Sequence, residues 1–156
     1  MKRAALACLS ALALFAMHSA RAQDLTAPDL TLAGMQLGKN TLQDVLSHFG
    51  IAPLRHGNVD ELCYRSESPL LAAWVLFGAG DEGDYEKLTQ FRVVTVQPTD
   101  ITCPPSARLT PELATEGGVR IGMPEEELKD KLGPRLRIKA DNGRVTSYEV
   151  RLTETR

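Results

Sequence analysis

Residues 70–77 read Leu-Leu-Ala-Ala-Trp-Val-Leu-Phe, an uncharged run that is apolar at both alternating sets of positions. A strand with one face in water alternates apolar and polar residues, whereas a strand covered on both faces does not. The run therefore predicts the central strand of a sheet, and the rest of the fold is read outward from it. Before it, 61–65 is a short strand candidate holding Cys63. After it, 88–97 carries Phe91, Val93, Val94 and Val96, residue types that suit a pleated, half-buried surface. Residues 78–86, glycine-rich and acidic, read as the hairpin loop between the two.

Two further strands, 135–140 and 144–152, predict a closing hairpin around Asp141-Asn142-Gly143. A two-residue Asn142-Gly143 loop would set Leu136 opposite Glu149. A three-residue loop sets Leu136 opposite Tyr148, Ile138 opposite Thr146 and Arg135 opposite Glu149. A one-residue slip exchanges the faces, so the apolar pattern predicts the three-residue loop with Gly143 left-handed at a bulge.

Helical signals stand at two places. Leu42, Val45, Leu46 and Phe49 fall on one stripe, Thr41 and Asp44 have capping-box spacing, and Gly50 followed by Pro53 ends the run. A second helix is predicted over 124–132, with proline and three glutamates in its first turn, Leu128 and Leu132 on one face, and Gly133-Pro134 as the stop. The expected class is α+β: an antiparallel sheet with two short helices packed on one face.

The two helical segments also align with each other. Residues 44–50 (DVLSHFG) and 127–133 (ELKDKLG) follow Gly38 and Gly122 and precede Leu54-Arg55 and Leu136-Arg137. This predicts two imperfect α-β half-repeats, about 30–103 and 117–153. The pattern GMPEEELKDKLG at 122–133, with its looser copy at 38–50, resembles the helix signature of the SmpA/OmlA outer-membrane assembly lipoproteins. The tandem arrangement resembles β-lactamase inhibitory protein. The resemblance implies helices on one face of an antiparallel sheet and a role in binding other proteins. The acylated cysteine of the lipoproteins has no counterpart after the leader here, so membrane attachment is not implied.

Export is read from the N-terminus. Lys2 and Arg3, the uncharged run 4–17 and Ala20-Arg21-Ala22 have the order of a cleavable signal peptide, with 1–22 removed and 23–156 forming one domain. The apolar run is shorter than the ~20 residues a spanning helix needs. Removing Lys2, Arg3 and Arg21 leaves 15 of the 18 basic residues against 20 acidic ones, a formal charge of −5. That disfavours nucleic acid and anionic lipid as partners. Cys8 leaves with the leader, so Cys63 and Cys103 remain and are expected to pair in an oxidising periplasmic or secreted setting.

Catalytic and metal signatures are sparse. His48 and His56 lack an accompanying serine motif or a ligand set and read as ordinary surface residues. The loop Asp81-Glu82-Gly83-Asp84 departs from calcium-loop spacing and reads as a solvated hairpin tip. Arg135, Arg137 and Lys139 alternate along one strand, a pattern that protects a sheet edge from pairing with other chains and can also meet an anion. The expectation is a non-enzymatic protein-binding or assembly module of the periplasm or envelope, with no cofactor or metal and an envelope or periplasmic protein as partner. Its candidate surface is the apolar sheet face at Trp74, Val75 and Phe77, or the acidic loop at Asp81, Glu82 and Asp84. With the acidic loop as the contact, the alternative is a small inhibitor or immunity-type protein for a basic enzyme. A histidine-based hydrolase is the third reading.

Overall fold

In a computed structural model of the chain, residues 25–68, 72–80, 87–110 and 112–152 are described; Leu70 and Leu71 lie outside them, and the second half of the 70–77 run, from Trp74, supplies an interior strand. Strand β4 (Trp74–Gly80) lies between β3 (Val59–Ser66) and β5 (Leu88–Val94), antiparallel to both. A hairpin of β7 (Leu136–Asp141) and β8 (Arg144–Arg151) adds through β8 to β5. The two-residue β6 (Pro105–Ser106) adds parallel to β3, so the six-stranded sheet is mixed, in the order β6-β3-β4-β5-β8-β7. Two further short strands, β1 (Thr31–Leu32) and β2 (Met35–Gln36), pair as a separate small sheet.

Helix α1 (Leu42–Phe49) forms where its stripe and caps place it. Asp44 N–H donates to Thr41 Oγ1 at 3.1 Å, and Thr41 N–H donates to Asp44 Oδ2 at 2.8 Å, closing the capping box. Gly50, at φ 100°, ends the helix with its N–H on the Leu46 carbonyl. Val45 and Phe49 turn into the core, and the Phe49 ring stacks on Phe77 with centroids 5.3 Å apart.

The second expected helix does not form. Only Glu125–Leu128 are helical, as a single 3-10 turn, and Pro124 makes no side-chain cap. The reason is tertiary: Glu125 N–H donates to the Gly143 carbonyl, and Pro124 bridges Arg144, so the segment's start is stitched to the β7–β8 hairpin. Two leucines four apart offer too narrow a stripe to oppose that, and short helices are marginal without packing. The α+β expectation, two helices on an antiparallel sheet, is therefore overturned. The molecule is mostly β, and α1 is the one α-helix among the described residues.

The closing hairpin corrects the predicted loop while keeping its facing. Asp141 pairs with Arg144 across a two-residue Asn142-Gly143 turn, both residues at positive φ (50° and 72°), as this turn requires. The register then shifts between Lys139 and Ala140, passing over Thr146, so that Leu136 meets Val150 and Ile138 meets Tyr148. The bulge restores the apolar residues to one face, which is what the pattern demanded.

The core lies on one side of the sheet. Leu62, Tyr64, Val75, Phe77, Phe91, Val93, Tyr148 and Val150 pack there beneath α1, β1–β2 and the segment holding Leu109, Leu113, Val119 and Met123. Tyr148 is fully buried and donates its hydroxyl to the Leu113 carbonyl; burial pushes its pKa well up. Tyr64 donates to the Gly50 carbonyl at 2.7 Å and is pushed up to about 12 for the same reason. An ion pair closes the N-terminal side: Lys131 Nζ lies 2.5 Å from Oδ1 of Asp29, which is 2% exposed.

Candidate functional site

The sheet's second face follows from strand alternation. Opposite the core, one row across the strands reads Cys63, Leu76, Arg92, Glu149 and Arg137, and the next reads Glu61, Gly78, Gln90 and Arg151. The chain leaves β5 at Val94 and returns beside β3, where Arg65 N–H donates to the Pro104 carbonyl. Cys63 and Cys103 are bonded, which pins this returning strap to the face at the point where Leu76 is buried. The expected disulfide is thus present. The two-sided apolarity of β4 also has its explanation: core on one side, the strap on the other.

Beside the strap the face opens into a polar groove of about 550 Å³. Its floor is Glu61, Gln90, Arg92, Glu149 and Arg151, and its walls are the 55–59 loop and Asp100 of the strap. Gly78 makes that floor possible, because a Cβ there would meet Val59 Cγ1 at 2.6 Å and Gln90 Cγ at 2.8 Å. The 55–59 loop is held down by the sheet itself. Arg55 N–H and carbonyl both bond Glu61, each at 2.9 Å, extending the ladder by one pair.

Charge in the groove is heavily cross-linked. The Glu61 carboxylate, only 5% exposed, takes Arg55 Nη2 on Oε2 and Gln90 Nε2 on Oε1 at 3.1 Å, with Arg92 Nη2 further off at 3.8 Å. Arg55 spans to Asp100 with its other terminal nitrogen, and Arg151 pairs with Glu149. Burying Glu61 is tolerable because its oxygens are occupied by such donors. Three buried atoms make no hydrogen bond to any described residue: Arg151 Nε and Glu149 Oε1, which lie against each other as an ion pair, and Arg92 Nε, which has no such contact. At the mouth, His56 Nδ1 stands 3.1 Å from Asp60 Oδ1, and the His56 side chain is 76% exposed.

This arrangement holds ions and polar groups in place. No serine, threonine or cysteine is among the residues lining the groove, so the His56–Asp60 pair has no hydroxyl or thiol there to activate. His48 lies on α1, half-buried, with its ring edge-on to Phe49 and 3.2 Å from Arg108 Nη1. Among the described residues no group of three or more His, Cys, Asp or Glu could hold a metal ion.

The sequence-predicted surface residues are separated by the fold. Val75 and Phe77 have no exposed surface and belong to the core, which corrects their placement on a working face. Trp74 points the other way and is half-buried on the groove side of the sheet. Asp81, Glu82 and Asp84 lie outside the described residues, as does the leader. The groove residues were missed, yet a signal was present. Glu61, Gln90, Arg92, Glu149 and Arg151 occupy the polar parity of strands whose other parity is apolar, so all were bound for one face. In comparisons with protein families, curated proteins and solved structures, nothing matches the chain.

Proposed function

We propose that the protein is an exported, non-enzymatic binding or assembly module of the periplasm or envelope, and that it engages a partner protein through the groove opposite its core. The observation that carries this reading is the groove: arginines and carboxylates held in fixed geometry by one another. Preorganised charge of this kind gives specificity and orientation to association. Export is supported by the leader at 1–22 and by the Cys63–Cys103 bridge, since such bridges persist in oxidising compartments. The test is affinity capture from periplasmic extract with the mature chain, beside Asn58→Trp, which fills the groove from its wall, and Gln43→Trp on α1 as the control. The reading expects the same partner with the native chain and the control, and its loss with Asn58→Trp at unchanged melting temperature. Equal capture by all three would reject the groove.

A further inference from the structure

The charge on the groove side of the sheet runs against the charge of the chain. On β5, β8 and β7 that face carries Arg92, Arg151, Arg137, Lys139 and Arg144 against Glu149 and Asp141, a net positive balance, although the whole chain is formally −2. Glu149 is already engaged by Arg151, and the buried Glu61 by Arg55 and Gln90. Among the guanidiniums lining the groove, Arg92 is the one with no carboxylate oxygen within hydrogen-bond distance. Its Nε makes no hydrogen bond within the described residues, and its Nη2 stands 3.8 Å from Glu61. Buried donors are nearly always partnered in folded proteins, so an unpartnered Nε behind a guanidinium whose side chain is 38% exposed on the floor of a groove marks a place for an acceptor. Guanidinium presents paired N–H groups whose planar match is a carboxylate.

We infer, resting on the groove reading above, that Arg92 is the anchor for an aspartate or glutamate side chain of an acidic polypeptide segment lying across this face, with Arg137 and Lys139 steering it. Charge complementarity sets the partner's chemistry. The overall negative charge argues for a short acidic segment over a long polyanion or an anionic bilayer, which would meet the repulsive field of the whole chain. Along a strand, residues on one face repeat every ~6.6 Å, so an extended segment with acids at alternate positions presents them at the spacing of Arg137 and Lys139. The carboxylate is bound without covalent change.

The test titrates the mature chain with a blocked peptide bearing glutamate at alternate positions. The readouts are Trp74 fluorescence, from the single tryptophan on this same face, and the wild-type arginine side-chain Nε–H resonances. Expected are saturable binding weakened by salt, a shift of the Arg92 Nε–H signal, and a loss of about tenfold or more in affinity for the glutamine version of the peptide. Arg92→Gln should lose about the same factor at unchanged melting temperature; should that variant unfold, the wild-type Nε–H shift decides alone. The inference is overturned if the glutamate and glutamine peptides bind alike, or if the Arg92 signal stays still. It is equally overturned if inorganic phosphate or phosphatidylglycerol vesicles bind where the peptide does not, or if the chain self-associates instead. If Asn58→Trp abolishes partner capture while the glutamate peptide fails to bind, the acidic ligand falls and the groove reading stands. Failure of both removes both.

Discussion

Replacing Cys63 and Cys103 together by alanine, or reducing the native bridge, should lower stability sharply and change one region of the molecule first. The bridge spans a sequence separation of 40 residues. In the chain-entropy account, closing a loop of that size removes about 4 kcal/mol of unfolded-state freedom. For a domain between 100 and 200 residues, each kcal/mol moves the melting point by roughly 3–4 °C, so a fall of about 12–16 °C is expected. Thermal melts of the oxidised, reduced and double-alanine proteins measure it. Hydrogen exchange should show the 95–104 strap losing protection before the β3–β4–β5 centre, because Cys103 is what holds the strap against the sheet. A drop below about 4 °C, or loss of protection beginning in β4, would refute the reasoning.

Val75→Glu should abolish folding, since it places an unpaired carboxylate in a core position with no exposed surface; circular dichroism of a folded, cooperatively melting variant would contradict the facing assigned to β4. Asp29→Asn should cost about 2–3 kcal/mol near neutral pH by leaving the Lys131 ammonium with the Gly117 carbonyl but no carboxylate. Burial raises the Asp29 pKa, but the Lys131 ammonium and the Thr26 N–H and hydroxyl outweigh it and leave it lowered. Its contribution is therefore complete above the ordinary carboxylate range and is lost as pH falls through the lower folded value, so urea melts of native and variant proteins should begin to draw together as pH falls past about 4 and converge only below the folded value. Mass spectrometry of the exported protein should find an N-terminus at Gln23, or its pyroglutamate, without an acyl chain; retention of 1–22 would contradict export by cleavage.

What could be read from the sequence was set by local physics. The α1 stripe, the Thr41–Asp44 capping box and the Gly50 stop are contained within one short segment, and they formed as read. The positions of β3, β5, β7 and β8 followed from apolar patterning, as did the facing of Leu136 and Ile138, whereas β4 begins at Trp74 and runs on through Gly78–Gly80, which read as loop. The hairpin loop did not follow, because alternation fixes parity only, and a bulge at Thr146 satisfies parity as well as a longer loop does. The 124–132 helix failed for a reason absent from its own residues, the bond from Glu125 to Gly143. For β4, two apolar faces were visible but not which one met the core, so Val75 and Phe77 were placed on the wrong side. The groove needed two facts beyond pattern: that β8 lies beside β5, and that loops bring Arg55 and Asp100 over Glu61.

The most direct test of the account is site-specific photo-crosslinking in cells that export the protein, with the crosslinking residue placed at Asn58 on the groove wall or at Gln43 on the exposed side of α1. The account predicts a discrete protein adduct from Asn58, absent from Gln43 and suppressed when Arg92→Gln is added. An adduct at Gln43 with none at Asn58 would contradict it.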